Sequence, residues 1–285
     1  MPPQAKTIQI FLPDGNPRGI RVAEITSRTV EVILVPRAHL DMAAARTELG
    51  QVGVYFLLGE ATQGAELQVY VGEAEDCLGR LRQHNKQKEF WNVALIAVSK
   101  TQYFTKSHAK YLEWFAHKAI STAGRYALEN VNGPTKPYIS ESMEADLADN
   151  FDTMRVLVGA LGYPLFDELG KPSPKATVHC KTKDADAKGE YTEDGLVVLA
   201  GSTAKLQEAP STGAWIRGLR DGLKESGTLV LDGSALRFVK NHVFSSPSAA
   251  AGVVLGRQAN GWSEWKYADD RTLDVVHRQN ATPDD

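Results

Sequence analysis

Cysteine is nearly absent. Among 285 residues only Cys77 and Cys180 occur, far apart and in no CxxC pair. Their scarcity excludes a disulfide framework and a thiolate zinc site, so any metal must sit on oxygen ligands or histidine. Long apolar runs are missing too. None approaches the roughly 20 residues of a membrane helix, and no membrane partner is expected. The opening MPPQAKTIQIFLPDG lacks the charged start, apolar stretch and cleavage site of a secretory signal, which makes the expected location cytoplasmic. Nor is there a basic excess: the formal net charge is −3, whereas a nucleic-acid binder usually carries a strong positive balance.

What is present fits a globular chain of two modest domains, 42% hydrophobic and 24% charged. The near-neutral total hides opposed patches. Between residues 80 and 125 stand Arg80, Arg82, Lys86, Lys88, Lys100, Lys106, Lys110, Lys118 and Arg125 against only Glu89 and Glu113. From residue 141 to 152 the sign reverses through Glu141, Glu144, Asp146, Asp149 and Asp152. The basic segment could face phosphate, and solvated helix faces are the alternative for both.

Patterning gives an α+β chain. Residues 1–46 form an N-terminal β segment, in which KTIQIFL and RTVEVILVP alternate as strands should across the turn-rich DGNPRG. A helical stretch near residues 43–49 follows. Residues 47–135 then read β-β-α-β-α: VGVYFLL and LQVYVGE as a hairpin, a short helix near 76–86, the strand NVALIAVS, and a longer helix over 107–123. An acidic helical linker spans 136–174 and ends within GKPSPK. A second α+β domain covers 175–276, with Ser246 as helix N-cap, Pro247 at the first helical position and Gly256 closing that helix. A flexible tail is expected over 277–285. His179 and Cys180 adjoin in a strand and so point to opposite faces.

Period two places Val52, Val54, Phe56 and Leu58 on one face of the first hairpin strand and Tyr55 on the other. In its partner Leu67, Val69 and Val71 share a face, while Tyr70 and Gly72 share the opposite one, so pairing can unite the two phenols. Arg80 and His84, at i and i+4, lie on one helix face, with Leu78 and Leu81 on the buried side. A guanidinium can neutralise a phosphoryl oxygen, and an imidazole can hold a water or trade a proton near neutral pH. An exposed Arg and His on a surface helix is the alternative. Glu113 borders the apolar stripe of Leu112, Phe115, Ala116, Ala119 and Ile120. A partly buried carboxylate there needs a partner, either Mg²⁺ or a salt bridge to Arg80 or Lys106.

The strings Gly53-Val54-Tyr55 and Tyr70-Val71-Gly72, followed by Arg80, His84, Glu113 and a late asparagine, resemble the GIY-YIG endonucleases in order and spacing over residues 51–133. The resemblance implies that family's small β-β-α-β-α nuclease domain. It implies that Tyr55 and Tyr70 orient or deprotonate the attacking water, that Arg80 and His84 contact the scissile phosphate, and that Glu113 ligates one divalent metal, Mg²⁺ or Mn²⁺. The chain departs from the family at the asparagine, whose usual position holds Arg125. Asn130 and Asn132 come later, and Asn130 is taken. The segment Phe244–Ala250, with Asn260-Gly261-Trp262 and Trp265-Lys266, is similar to a small module of unknown function appended to GIY-YIG and restriction-modification proteins.

The activity expected from the resemblance is metal-dependent hydrolysis of phosphodiesters in nucleic acid, most of all DNA, in repair, restriction or defence. A catalytically inactive DNA- or protein-binding module is the rival, and RNA is the alternative substrate. The sequence leaves the oligomeric state open.

Overall fold

Alternation over the first hundred residues builds one mixed sheet. Its strands are β1 (Gln9–Phe11), β2 (Arg21–Glu24), β3 (Val30–Pro36), β4 (Gly53–Glu60), β5 (Leu67–Ala74), β6 (Trp91–Ser99) and β7 (Ala127–Leu128). The computed structural model describes residues 5–60, 67–167 and 176–279. It orders the strands β1-β2-β3-β6-β4-β5-β7, antiparallel except for the β5–β7 pair. With α1 (Cys77–Gln87), α2 (Lys106–Ala123) and α3 (Glu141–Ala160) they make the first of two compact units, Met1–Asp167.

Helices cover both sheet faces, which explains the apolar character of the central strands. Val54, Phe56, Leu58, Val69 and Val71 pack with Leu112, Ala116 and Ile120 of α2 and Leu147, Phe151 and Leu157 of α3. Tyr55 and Leu57 face the other way, into a core shared with Leu81 of α1, Trp91 and Ile96. The face assignments read from period two hold.

Several elements differ from the sequence reading. The 1–46 strands are part of the main sheet, since β3 pairs with β6 from Val30↔Ser99 to Pro36↔Val93. The reason is burial: β6 has buried side chains on both faces, and its backbone needs a partner along each edge. The helix within 136–174 likewise packs Leu147, Phe151, Met154 and Leu157 into the first core. The helical stretch near 43–49 consists of short 3₁₀ turns, Met42–Ala45 and Thr47–Gly50, which bury Ala43 and Leu49 and have no side-chain cap. Leu67 is exposed and Leu78 half-buried, both less enclosed than expected. The hairpin loop at 61–66 and the GKPSPK segment lie outside the described residues.

The second unit, Glu168–Asp285, has a four-stranded and a three-stranded sheet. The first joins β8 (Thr177–Thr182), β9 (Ala185–Thr192), β10 (Gly195–Val198) and β14 (His242–Phe244); the second joins β11 (Thr203–Lys205), β12 (Leu229–Asp232) and β13 (Ala235–Phe238). Helix α4 (Ala214–Glu225) precedes β12, and α5 (Pro247–Leu255) lies in the core. The α5 helix is apolar all round, as a wholly enclosed helix must be. Ser246 accepts from the Ala249 amide, Pro247 opens the helix, and Gly256 closes it with φ 61°. Arg220 of α4 is fully buried, ion-paired with Glu208 and donating to the Lys205, Leu206 and Val253 carbonyls. Cys180 is buried and His179 half-buried on the opposite face. The tail expected to be flexible from residue 277 begins as part of a π-helical turn, Val275–Gln279. Tyr267 Oη lies 2.7 Å from His277 Nε2, and the Arg278 guanidinium stands 3.6 Å above the Trp262 ring. Aromatic contacts therefore hold the first residues of that segment.

Candidate active site

The β4–β5 register sets Tyr55 opposite Gly72 and Leu57 opposite Tyr70. A Cβ on residue 72 would lie 2.3 Å from Tyr55 Oη, so glycine is what lets the phenol lie across β5. The Tyr55 and Tyr70 rings then stack 6.1 Å apart with 22° between planes. Asp76 caps α1 by accepting from the Gly79 amide at 2.9 Å, and the helix directs one face at the two phenols. His84, only 2% exposed, places Nε2 at 2.8 Å from Tyr55 Oη and its ring 5.1 Å from Tyr70. Arg80, one turn earlier and exposed, donates from Nε to Tyr55 Oη at 3.3 Å and from Nη1 to Gln83 at 2.9 Å.

The Tyr55 oxygen accepts from Arg80 and shares a second hydrogen bond with His84 Nε2. His84 Nδ1 is buried without a partner. Burial, then the charges of Arg80 and Lys88, push the imidazole down to about 4, and burial first of all raises the Tyr55 phenol above its ordinary value. Both groups are neutral at pH 7.

Glu113 lies around the edge of the sheet, on the α2 side. It accepts a hydrogen bond from the Glu73 amide and senses Arg80 and Lys110 through space. Burial, and next the Glu73 carboxylate, push its carboxyl up to about 7. The salt-bridge alternatives go elsewhere, Lys106 pairing with Glu75 at 3.0 Å and Arg80 turning to Tyr55.

Asn130 Oδ1 accepts from the Val71 amide at 3.2 Å while its Nδ2 donates to the Val71 carbonyl at 2.9 Å. The Asn130 carbonyl lies 2.8 Å from His117 Nε2. Asn132 is exposed. Asn130 thus holds the backbone between Tyr70 and Gly72, with its amide oxygen and nitrogen each bonded to Val71. Direct contacts therefore unite Tyr55, Tyr70, Arg80 and His84, whereas Glu113 and Asn130 join them through the β5 backbone.

Sequence reasoning missed three neighbours. Lys88 stands 4.5 Å over the Tyr70 ring and 2.7 Å from Glu129; its i+4 spacing from His84 was a usable signal. Glu73, two residues past Val71, falls on the α2 face by strand period. His117 is four residues after Glu113. Of the basic segment, Lys88, Lys100 and Lys106 are in ion pairs. The acidic patch is partly spent within the fold, Glu144 on Lys136 and Asp149 on Arg28.

A family described as a domain of unknown function, DUF4357, matches residues 178–277. The matched segment runs from β8 into the π-helical turn. Its end at residue 277 agrees with that turn being part of the unit. No GIY-YIG family model matches the first unit, and no curated protein or solved structure matches the chain. Among the described residues no helix is long and apolar enough to cross a membrane.

Proposed function

We propose that the first unit is a metal-dependent phosphodiesterase that cuts DNA, with Tyr55, Tyr70, Arg80 and His84 as its reacting face and Glu113 as its metal carboxylate. The observation that supports this reading is the contact network itself: two phenols, an imidazole and a guanidinium, from two strands and one helix, on a sheet face otherwise lined with apolar residues. Such convergence is the arrangement phosphoryl chemistry uses.

The exposed Arg80 guanidinium binds a phosphate oxygen and offsets charge that develops there. His84, neutral at pH 7, shares a hydrogen bond with Tyr55 Oη and so holds the phenol on the reacting face, where its oxygen can orient water. Tyr70, beside Tyr55, adds a second hydroxyl to the same face. Asn130 holds Val71 and with it the Tyr70 backbone.

The metal fits the donor set. Among the described residues no group of three or more His, Cys, Asp or Glu side chains is placed to hold an ion, so a closed protein cage is not on offer. One half-buried carboxylate, raised to about 7 and lacking a cation in contact, suits Mg²⁺ or Mn²⁺, which keeps water and substrate phosphate in its shell. When bound at Glu113, the ion supplies charge stabilisation of the leaving oxygen.

The test is Mg²⁺-dependent nicking of supercoiled plasmid. Glu113→Ala and Arg80→Ala should each lose activity by a hundredfold or more, and a Glu113→Ala protein as fast as the wild type would overturn the assignment. Parallel arms with duplex DNA, single-stranded DNA, branched DNA and RNA identify the substrate.

One observation favours a second reading, a catalytically silent binding module: Tyr55, His84, Glu113 and Asn130 all make intramolecular contacts. That reading predicts a salt-dependent DNA gel shift with no cleavage under any divalent ion.

A further inference from the structure

We infer that Trp114, with Lys110, Lys118 and Lys136, forms a strip that binds single-stranded nucleic acid alongside the proposed cleavage site. Lys110, Trp114 and Lys118 are spaced by four along α2, so they make one stripe about 12 Å long. Glu113 is the covalent neighbour of its central residue. The inference rests on the phosphodiesterase reading, which puts a phosphate at Arg80 and Glu113, the latter one residue from Trp114 on α2.

Trp114 is half-buried, wedged against Tyr111 at 5.5 Å and Phe115 at 6.0 Å. Lys118 Nζ lies 5.5 Å and Lys136 Nζ 5.0 Å from its ring centroid. Two ammonium groups drawn to one indole repel each other, and a phosphate between them relieves that repulsion. Lys110 and Lys118 are exposed and in no contact ion pair among the described residues, Lys110 acting on Glu113 only through space. Lys136 pairs with Glu144 at 2.9 Å, but both side chains are 44% exposed, and a pair so exposed exchanges readily for phosphate. Long lysine stems can swing to the backbone of a strand while the indole takes a base.

The commitment to a single strand follows from the indole. The indole offers a ring for stacking, and base faces are accessible only where bases are unpaired. Alternating cations and an aromatic ring are the features with which sequence-tolerant single-strand sites work.

The test uses the full chain carrying Glu113→Gln, so that DNA survives, and fluorescence anisotropy with labelled oligothymidylate and with a duplex of equal length. Trp114→Leu should weaken oligothymidylate binding 5- to 150-fold, the range of one lost base stack, and should leave the duplex affinity within twofold. Trp114→Phe, which keeps a stacking face, should lose less than fivefold. Lys118→Ala should flatten the salt dependence of single-strand binding by about 0.7 in logarithmic slope. Unchanged oligothymidylate binding by Trp114→Leu, or equal losses on both DNAs, overturns the strip. The catalytic reading is tested separately by wild-type hydrolysis of bis(p-nitrophenyl) phosphate with Mn²⁺, which needs no strand to bind. Absence of that activity overturns the catalytic reading alone.

Discussion

Exchanging Glu113 for glutamine should stabilise the metal-free protein above pH 7 while removing its cleavage of DNA. The carboxyl is raised from 4.5 to about 7, first by burial and next by Glu73. A carboxyl whose folded pKa exceeds its unfolded one holds its proton more tightly when folded. Its contribution to stability is therefore fully present below pH 4.5 and is lost as pH rises to about 7. For a fully enclosed group that interval converts to about 3 kcal/mol. Glu113 is half-buried, and solvent screening reduces the figure to about 1–1.5 kcal/mol. Glutamine keeps an oxygen for the Glu73 amide but carries no charge. In EDTA at pH 8 the melting transition of the first unit should rise by about 2–6 °C, given the 2–4 °C per kcal/mol of domains this size. At pH 5 the gain should be much smaller. Adding Mg²⁺ at ten times its dissociation constant should raise wild-type stability by about 1.4 kcal/mol and leave Glu113→Gln unmoved. Calorimetry at both pH values, with and without Mg²⁺, measures all four quantities. A Glu113→Gln protein less stable than the wild type at pH 8, or equal stabilisation of both by Mg²⁺, would refute the reasoning.

Three further outcomes follow from the site. The His84 imidazole should titrate near pH 4 by NMR, because burial lowers it from 6.5; stability should fall by about 3 kcal/mol as pH drops between those values, and a midpoint near 6.5 would contradict the enclosed Tyr55–His84 pair. Gly72→Ala puts a Cβ 2.3 Å from Tyr55 Oη and 2.4 Å from Cζ, so it should cost about 1–3 kcal/mol and suppress nicking, and Tyr55→Leu in the same chain should restore stability without activity. Asn130→Ala, which unpairs both polar groups of Val71, should cost about 2–4 kcal/mol in urea unfolding, whereas Asn132→Ala should cost less than about 0.5 kcal/mol; equal effects would show that the clamp carries no stability.

Most of the site's face was legible because strand and helix periods are local. Alternation alone put Tyr55 and Tyr70 on one side of a hairpin, and i,i+4 spacing put Arg80 and His84 on one side of α1. Helix punctuation was equally direct at Ser246, Pro247 and Gly256, where each residue acts on its own turn. Long-range pairing was not legible. Nothing within RTVEVILVP indicates that it lies against β6, about sixty residues away, and a short 3₁₀ turn at Met42–Ala45 uses the same alanine-rich composition as a helix. The partner of Glu113 also escaped local reasoning, since it is a backbone amide on a different element.

The outward-facing groups of β5 explain why Glu113 and Asn130 sit where they do. Strand β7 is only two residues long and covers β5 at Gln68 and Val69, and the Glu129 amide reaches the Val69 carbonyl at 2.9 Å. Beyond that point the edge is finished by side chains: Asn130 takes both groups of Val71 and Glu113 takes the amide of Glu73. An unfinished sheet edge invites another strand, and closing it with side chains prevents that. It also leaves open the space that a longer β7 would occupy beside Gly72 and Glu73. In the proposed reading that gap is where a nucleic-acid backbone meets Arg80 from one face of the sheet and Glu113 from the other. The same two residues would then finish the edge and border the gap, so substitutions at Glu113 and Asn130 should differ in kind: the first gains stability and loses activity, and the second loses both.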